Sequence, residues 1–265
     1  MIALTKKFFN DHKLGIILTT IGLVFYQWTL VSLYPMMQKI DIEALLKNYP
    51  KAFLAFFGGT ELSFTSLEGF FNTEYLSLMY MIIVAGYLIT LVTSELTKEV
   101  ENGTLESLLS LPVSRATVLG YKYVNITLLT AFFTIIGIVP FMLMSVAYDF
   151  SFSIKAFLMV TLLTFLFFMA IAALTTALSV FFNERNKPTS IVLFILGYGY
   201  ILNSLGQAFS KVKNYRFLGI FYYYSTAKTL GHKTIATNSY VVFGTIIIVS
   251  TIFAFYWFNK RDFAN

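Results

Sequence analysis

The sequence predicts an all-α integral membrane protein with six transmembrane helices, and three observations carry that prediction. The residues are 57% hydrophobic and only 12% charged, about half the charge of an average soluble domain. Six segments are each apolar over about 20 residues, the length a helix needs to cross some 30 Å of hydrocarbon. Stretches such as Phe157 to Phe168 are apolar almost throughout, without the alternation that a membrane β-strand shows.

The elements follow in chain order. At 100° per residue Met1, Leu4, Phe8 and Phe9 share one side of a helix, while Lys6, Asn10 and Lys13 share another. This predicts either a short N-terminal amphipathic helix lying on the membrane surface or the basic flank of the first span. That span, Leu14–Tyr34, is too long for a signal-peptide core and lacks a small-residue cleavage site, so it is expected to be retained. In the loop that follows, Ile42, Leu45, Leu46, Tyr49, Phe53 and Phe56 recur at helical spacing around Pro50, which suits one or two short surface helices. The remaining spans are expected at Tyr75–Leu96, Lys122–Val146, Ala156–Phe182, Thr189–Phe209 and Ser239–Phe258, all within a single transmembrane domain of residues 1–265. Before the last span, Phe217, Phe221, Tyr222, Tyr223 and Tyr224 fit a re-entrant hairpin or an aromatic belt at the interface.

Charge sets the expected orientation. An even number of spans puts both termini on one side, and the segments on that side hold about ten Lys and Arg in some 52 residues, against nine in about 78 on the other. Lys6, Lys7 and Lys13 beside the first span place that side in the cytoplasm, with the protein in the plasma membrane. The net charge of +6 is scattered over every loop, so anionic lipid headgroups, not nucleic acid, are the expected partners of the basic residues.

Several chemistries find no residues to perform them. There is no cysteine, which removes disulfides and thiol metal sites. No phosphate-loop motif is present. His12 and His232 lie apart from any run of carboxylates in the sequence, so neither a metal site nor a catalytic triad is expected. The span interiors carry essentially no charge, as opposed to the buried ionisable groups of an ion-coupled carrier. Gln27, Asn125, Asn203 and Gln207 are expected to serve as interhelical hydrogen-bond partners.

The most informative segment joins the second and third spans, from Glu95 to Lys122. Gly103 breaks the incoming helix, and Thr104 caps a new one whose first turn holds Glu106 against the positive end of the helix dipole. Leu105, Leu108 and Leu109 line one face and Glu106, Ser107 and Ser110 the other, until Pro112 ends the helix. Ser114 is placed to cap the next helix. The result is a short amphipathic helix at about 104–112.

Here the sequence resembles the permease subunits of type 2 ATP-binding-cassette (ABC) exporters. The resemblance is carried by Glu99, Glu101, Gly103, Thr104, Leu105, Glu106, Leu109, Pro112, Val113, Ser114 and Arg115, by six spans with a basic amphipathic start, and by the aromatic loop at Tyr222–Tyr224. It implies that the 104–112 helix is a cytoplasmic coupling helix. Glu99, Glu101, Gly103, Thr104, Leu105, Glu106, Leu109, Pro112 and Arg115 would then couple to a cytoplasmic ABC ATPase subunit. It further implies a dimer, with a second copy or a related permease, whose pathway is lined by spans two and five. Tyr80, Tyr87, Gly199, Asn203 and Gln207 are the candidates there. The expected function is export of a hydrophobic or amphipathic substrate (drug, antimicrobial peptide or lipid), with ATP and Mg bound by the partner and no cofactor by this chain. An ion-coupled secondary carrier and a membrane-embedded assembly factor are the alternatives.

Overall fold

A computed structural model describes residues 2–40, 66–101 and 114–260, together with 49, 50 and 54. The elements are α1 (Ile2–Met37), α2 (Leu67–Phe71), a π-turn (Asn72–Leu76), α3 (Met79–Glu101), α4 (Arg115–Ile136), α5 (Val139–Ala147) and α6 (Ile154–Phe181), then α7 (Asn186–Ala208), α8 (Ser210–Lys213), two 3₁₀ turns (Arg216–Leu218 and Ile220–Tyr222), α9 (Thr226–His232) and α10 (Thr237–Lys260). The described residues are all-α, and six apolar helical stretches are long enough to cross a membrane: Thr5–Met37, Met79–Thr97, Arg115–Ala147, Ile154–Phe181, Asn186–Ala208 and Thr237–Lys260. The end of the bundle where α1 begins and α10 ends is called the N-face below, and the other end the opposite face.

The N-terminal residues distinguish the two readings left open for them. They form no separate surface helix: α1 runs unbroken from Ile2 to Met37. No glycine or proline interrupts the chain before Gly15, and Phe8 is buried in the core while Lys6 and Lys7 stay exposed. The stretch is thus the basic flank of the first span, amphipathic but continuous with it.

The core is built around α6, the most buried of the long helices, which packs against α3, α4, α7, α9 and α10. Its Ala170, Ala172, Ala173 and Ala177 let neighbours approach closely. Its Thr175 and Thr176 hydroxyls donate to carbonyls one turn back, at 2.7 and 2.8 Å, and so enter the apolar interior satisfied. By contrast α1, α7 and α10 bury only one side. Leu14, Phe25, Phe194 and Ile252 on their outer faces are exposed, the surface a bilayer solvates. Toward the opposite face an aromatic column fills the interior, with Phe71 stacked on Phe141 and Tyr75, and Tyr75 stacked on Tyr80.

The third span is not one helix. Pro140 has no N–H to give the Ile136 carbonyl, and the chain breaks at Gly137–Ile138 between α4 and α5. The fully buried Gln27 of α1 repairs the gap: its Nε2 donates to the Ile136 carbonyl at 2.9 Å and to the Tyr75 hydroxyl at 3.1 Å, and its Oε1 accepts the Phe141 N–H at 2.8 Å. Gly137 leaves room for Tyr80, whose ring lies where a Cβ would be, 2.2 Å away, and whose hydroxyl donates to the Phe133 carbonyl. Gln27 is therefore an interhelical partner of a demanding kind, because it satisfies backbone groups that lipid cannot.

Candidate functional site

Among the described residues polar groups gather at the N-face and beside α7, and neither cluster was anticipated in full. At the N-face, Glu95 near the end of α3 accepts from both neighbouring helices. His12 Nε2 of α1 lies 2.7 Å from its Oε1, and Lys122 Nζ of α4 lies 3.4 Å from its Oε2. Lys122 also donates to the Glu95 backbone carbonyl. The Lys122 side chain is almost fully buried and that of Glu95 largely so. His12, which lies apart from any run of carboxylates in the sequence, meets the single carboxylate of Glu95 in space, and Glu95 and Lys122 stand at the ends of spans two and three. The charges are admitted because they pair with each other. The signal lay in the sequence, since Glu95 falls inside an otherwise apolar span between hydroxyl residues, in Thr93-Ser94-Glu95-Leu96-Thr97.

The segment leaving α3 past this cluster is the one read above as the coupling helix. Gly103, Thr104, Leu105, Glu106, Leu109 and Pro112 lie outside the described residues, as do the side chains of Glu99 and Glu101. At its far end the structure resumes with Ser114, whose Oγ accepts the Thr117 N–H at 3.1 Å and caps α4, and with Arg115 as the first residue of that helix.

The candidate pathway residues fall into two environments. Tyr80 and Tyr87 lie on α3. Tyr80 is fully buried in the aromatic column, and Tyr87 packs edge-on to Phe133 with its ring against Gly15 of α1. Gly199, Asn203 and Gln207 lie on α7, facing the segment that returns from its end. That segment folds back along the helix. A Cβ on Gly219 would sit 2.9 Å from the Gly199 carbonyl oxygen, and Gly199 is nine residues, roughly 13 Å, from the end of α7. Beyond the tip, Phe221 and Tyr224 are buried, Tyr224 stacks on Phe167 of α6, and the Ser239 hydroxyl at the start of α10 donates to the Tyr223 carbonyl at 2.7 Å. Two of the small residues on α7 thus serve contacts within the chain: Gly199 admits Gly219, and Gly206 admits Arg216, whose Cγ lies 2.2 Å from where a Cβ would be.

Between α7 and the returning segment lies a cavity of about 70 Å³, lined by Asn203, Ser204, Gln207, Arg216, Tyr222 and Asn72 among others. Asn203 Oδ1 accepts from Arg216 Nε and Nη2 at 3.0 and 2.8 Å. Gln207 Oε1 has no partner, so the interhelical bond expected of it is not made. Arg216 was not anticipated; nothing local in the sequence distinguishes it from the other loop cations.

Among the described residues no three His, Cys, Asp or Glu side chains converge on a point that could hold a metal. The class that fold and site define is a polytopic helical membrane protein with polar clusters at both ends of its spans. Residues 12–263 match the family described as ABC-2 family transporter protein, and the chain belongs to that family. No curated protein matches the chain significantly. It is a membrane transport component, and its family normally works with an ATPase subunit.

Proposed function

We propose that this chain is the permease half of an ABC exporter in the plasma membrane. It forms a dimeric pathway for a hydrophobic or amphipathic molecule and is driven by a separate ATPase that docks on residues 99–115. The N-face is the cytoplasmic side in this reading. The observation that carries it is the family match over nearly the whole chain, joined to the place of the α3–α4 connection. The two helices it joins are tied to each other and to α1 where Glu95 holds His12 and Lys122, so force passed to them would reach three spans at once. Packed elements with two arrangements amplify such small displacements. ATP and Mg belong to the partner.

Co-purification tests the reading directly. The tagged permease, solubilised in mild detergent, should bring down a soluble ATPase whose turnover rises when the permease is present. A permease that transports in vesicles with no ATPase bound, driven by an ion gradient, would replace this function with the ion-coupled carrier.

A further inference from the structure

The cavity between α7 and the returning segment contains a cation that has no counter-ion among the described residues. Arg216 is half-buried, yet its partners among the described residues are neutral: the Asn203 carbonyl oxygen and the Tyr222 ring, 5.5 Å from the guanidinium carbon. No carboxylate lines the cavity, and a second cation, Lys228, does. Hydroxyls of Ser77, Ser204, Ser225 and Thr226 complete much of the wall. Asn72, only 4% exposed, also lines it, and its Oδ1 has no partner. A part-buried charge taken from water is costly unless an opposite charge meets it. Of the five N–H donors of a guanidinium, two go to Asn203 and the others stay free for a ligand.

We propose that this cavity binds a phosphate-type oxyanion carried by a phospholipid headgroup. The size agrees, since about 70 Å³ holds several waters or one phosphate-sized group. The depth agrees as well. Arg216 packs against Gly206, within one turn of the end of α7, which is where headgroups meet a span. Around it Phe209, Tyr215, Phe217 and Leu218 are exposed, so an anionic mouth-binding group would have apolar flanks beside it for acyl chains. The guanidinium calls for a negatively charged group, and the ligand class is therefore an anionic phospholipid, for which phosphatidylglycerol is the probe.

The test uses the full chain purified in detergent, with thermal unfolding and native mass spectrometry as readouts. Phosphatidylglycerol is compared with diacylglycerol of the same chains and with inorganic phosphate. Phosphatidylglycerol should stabilise the protein in a saturable way and diacylglycerol should not. R216Q should weaken phosphatidylglycerol binding about tenfold or more, with R216K intermediate because the forked geometry is lost and the charge kept. If R216Q does not yield folded protein, R216K and K228Q carry the test, and each should weaken binding by about threefold or more. Equal stabilisation by diacylglycerol, or unchanged binding in R216K and K228Q, overturns the site. Stabilisation by millimolar inorganic phosphate equal to that by the lipid assigns the cavity to free phosphate and overturns the lipid.

Discussion

Gln27 gives Ile136 the hydrogen bond that Pro140 withholds. The proline breaks the third span in the middle of the apolar interior, and the glutamine side chain, from a different helix, closes both backbone ends of the break at 2.9 and 2.8 Å. Gln27→Leu should leave the Ile136 carbonyl and the Phe141 N–H unsatisfied and lower stability by about 2–3 kcal/mol. Unfolding in detergent or by denaturant titration measures this directly. Stability equal to wild type would mean that the break satisfies itself.

Glu95 and Lys122 should be more costly to lose singly than together. Glu95→Leu leaves Lys122 buried without its carboxylate, at a cost of about 3–5 kcal/mol. Lys122→Met in the same chain removes the stranded charge and should recover much of the loss. A double-mutant cycle reads the coupling, and strict additivity of the two losses would show that the pair does not interact energetically.

Glu74, on the opposite face, titrates above the ordinary carboxylate range because burial disfavours its charge. The folded state therefore holds this proton to higher pH than the unfolded chain does. Below the ordinary carboxylate range, near pH 4, both states are protonated and there is no penalty. Stability falls as pH rises through that range toward the raised value, and is level above it. Glu74→Gln should remove this slope and raise the melting temperature at neutral pH. A wild-type and a variant pH profile that run parallel from pH 4 to 8 would contradict it.

Gly219→Val should lift the tip of the returning segment from α7, because the added side chain meets backbone at Gly199 rather than a side chain able to move aside. Hydrogen exchange at residues 219–224 should accelerate by at least about tenfold, with little change along α6. Unchanged protection would mean that the two backbones separate without losing the hairpin.

Coupling is expected to depend on Glu101 and Gly103. Gly103→Val and Glu101→Lys should leave the protein inserted and abundant but abolish stimulation of the partner ATPase. Glu74→Gln is the control, because Glu74 precedes α3 on the opposite face while Glu101 ends that helix. Normal transport and normal stimulation in both coupling variants would reduce residues 104–112 to a connector.

The number and type of the spans were legible because length and hydropathy are properties of single segments. The Ser114 cap was legible for the same reason: a cap needs only its own neighbours. Which helices touch was not, because α6 is apolar on every side and so points to no particular neighbour. Pro140 stood in plain view inside the expected third span, yet its consequence depended on Gln27, 113 residues earlier in the chain. The aromatic run at Phe221–Tyr224 left two readings open, and the sequence held no sign that Gly219 would fold back onto Gly199. His12 and Glu95 meet only because α1 and α3 run side by side, a fact that no local pattern contains.

The central position of α6 has a consequence for how the protein is made. It is the fourth span to leave the ribosome, and α3 and α4 each pack against it. Until it arrives, those two helices lie in the bilayer without the helix they pack against most. α10, the last span made, packs mainly on α6 and α4 and so docks on a surface that α6 completes. Assembly is therefore gated by one late event, and the half-made chain is the form most in need of protection by insertion factors and most open to quality-control proteases.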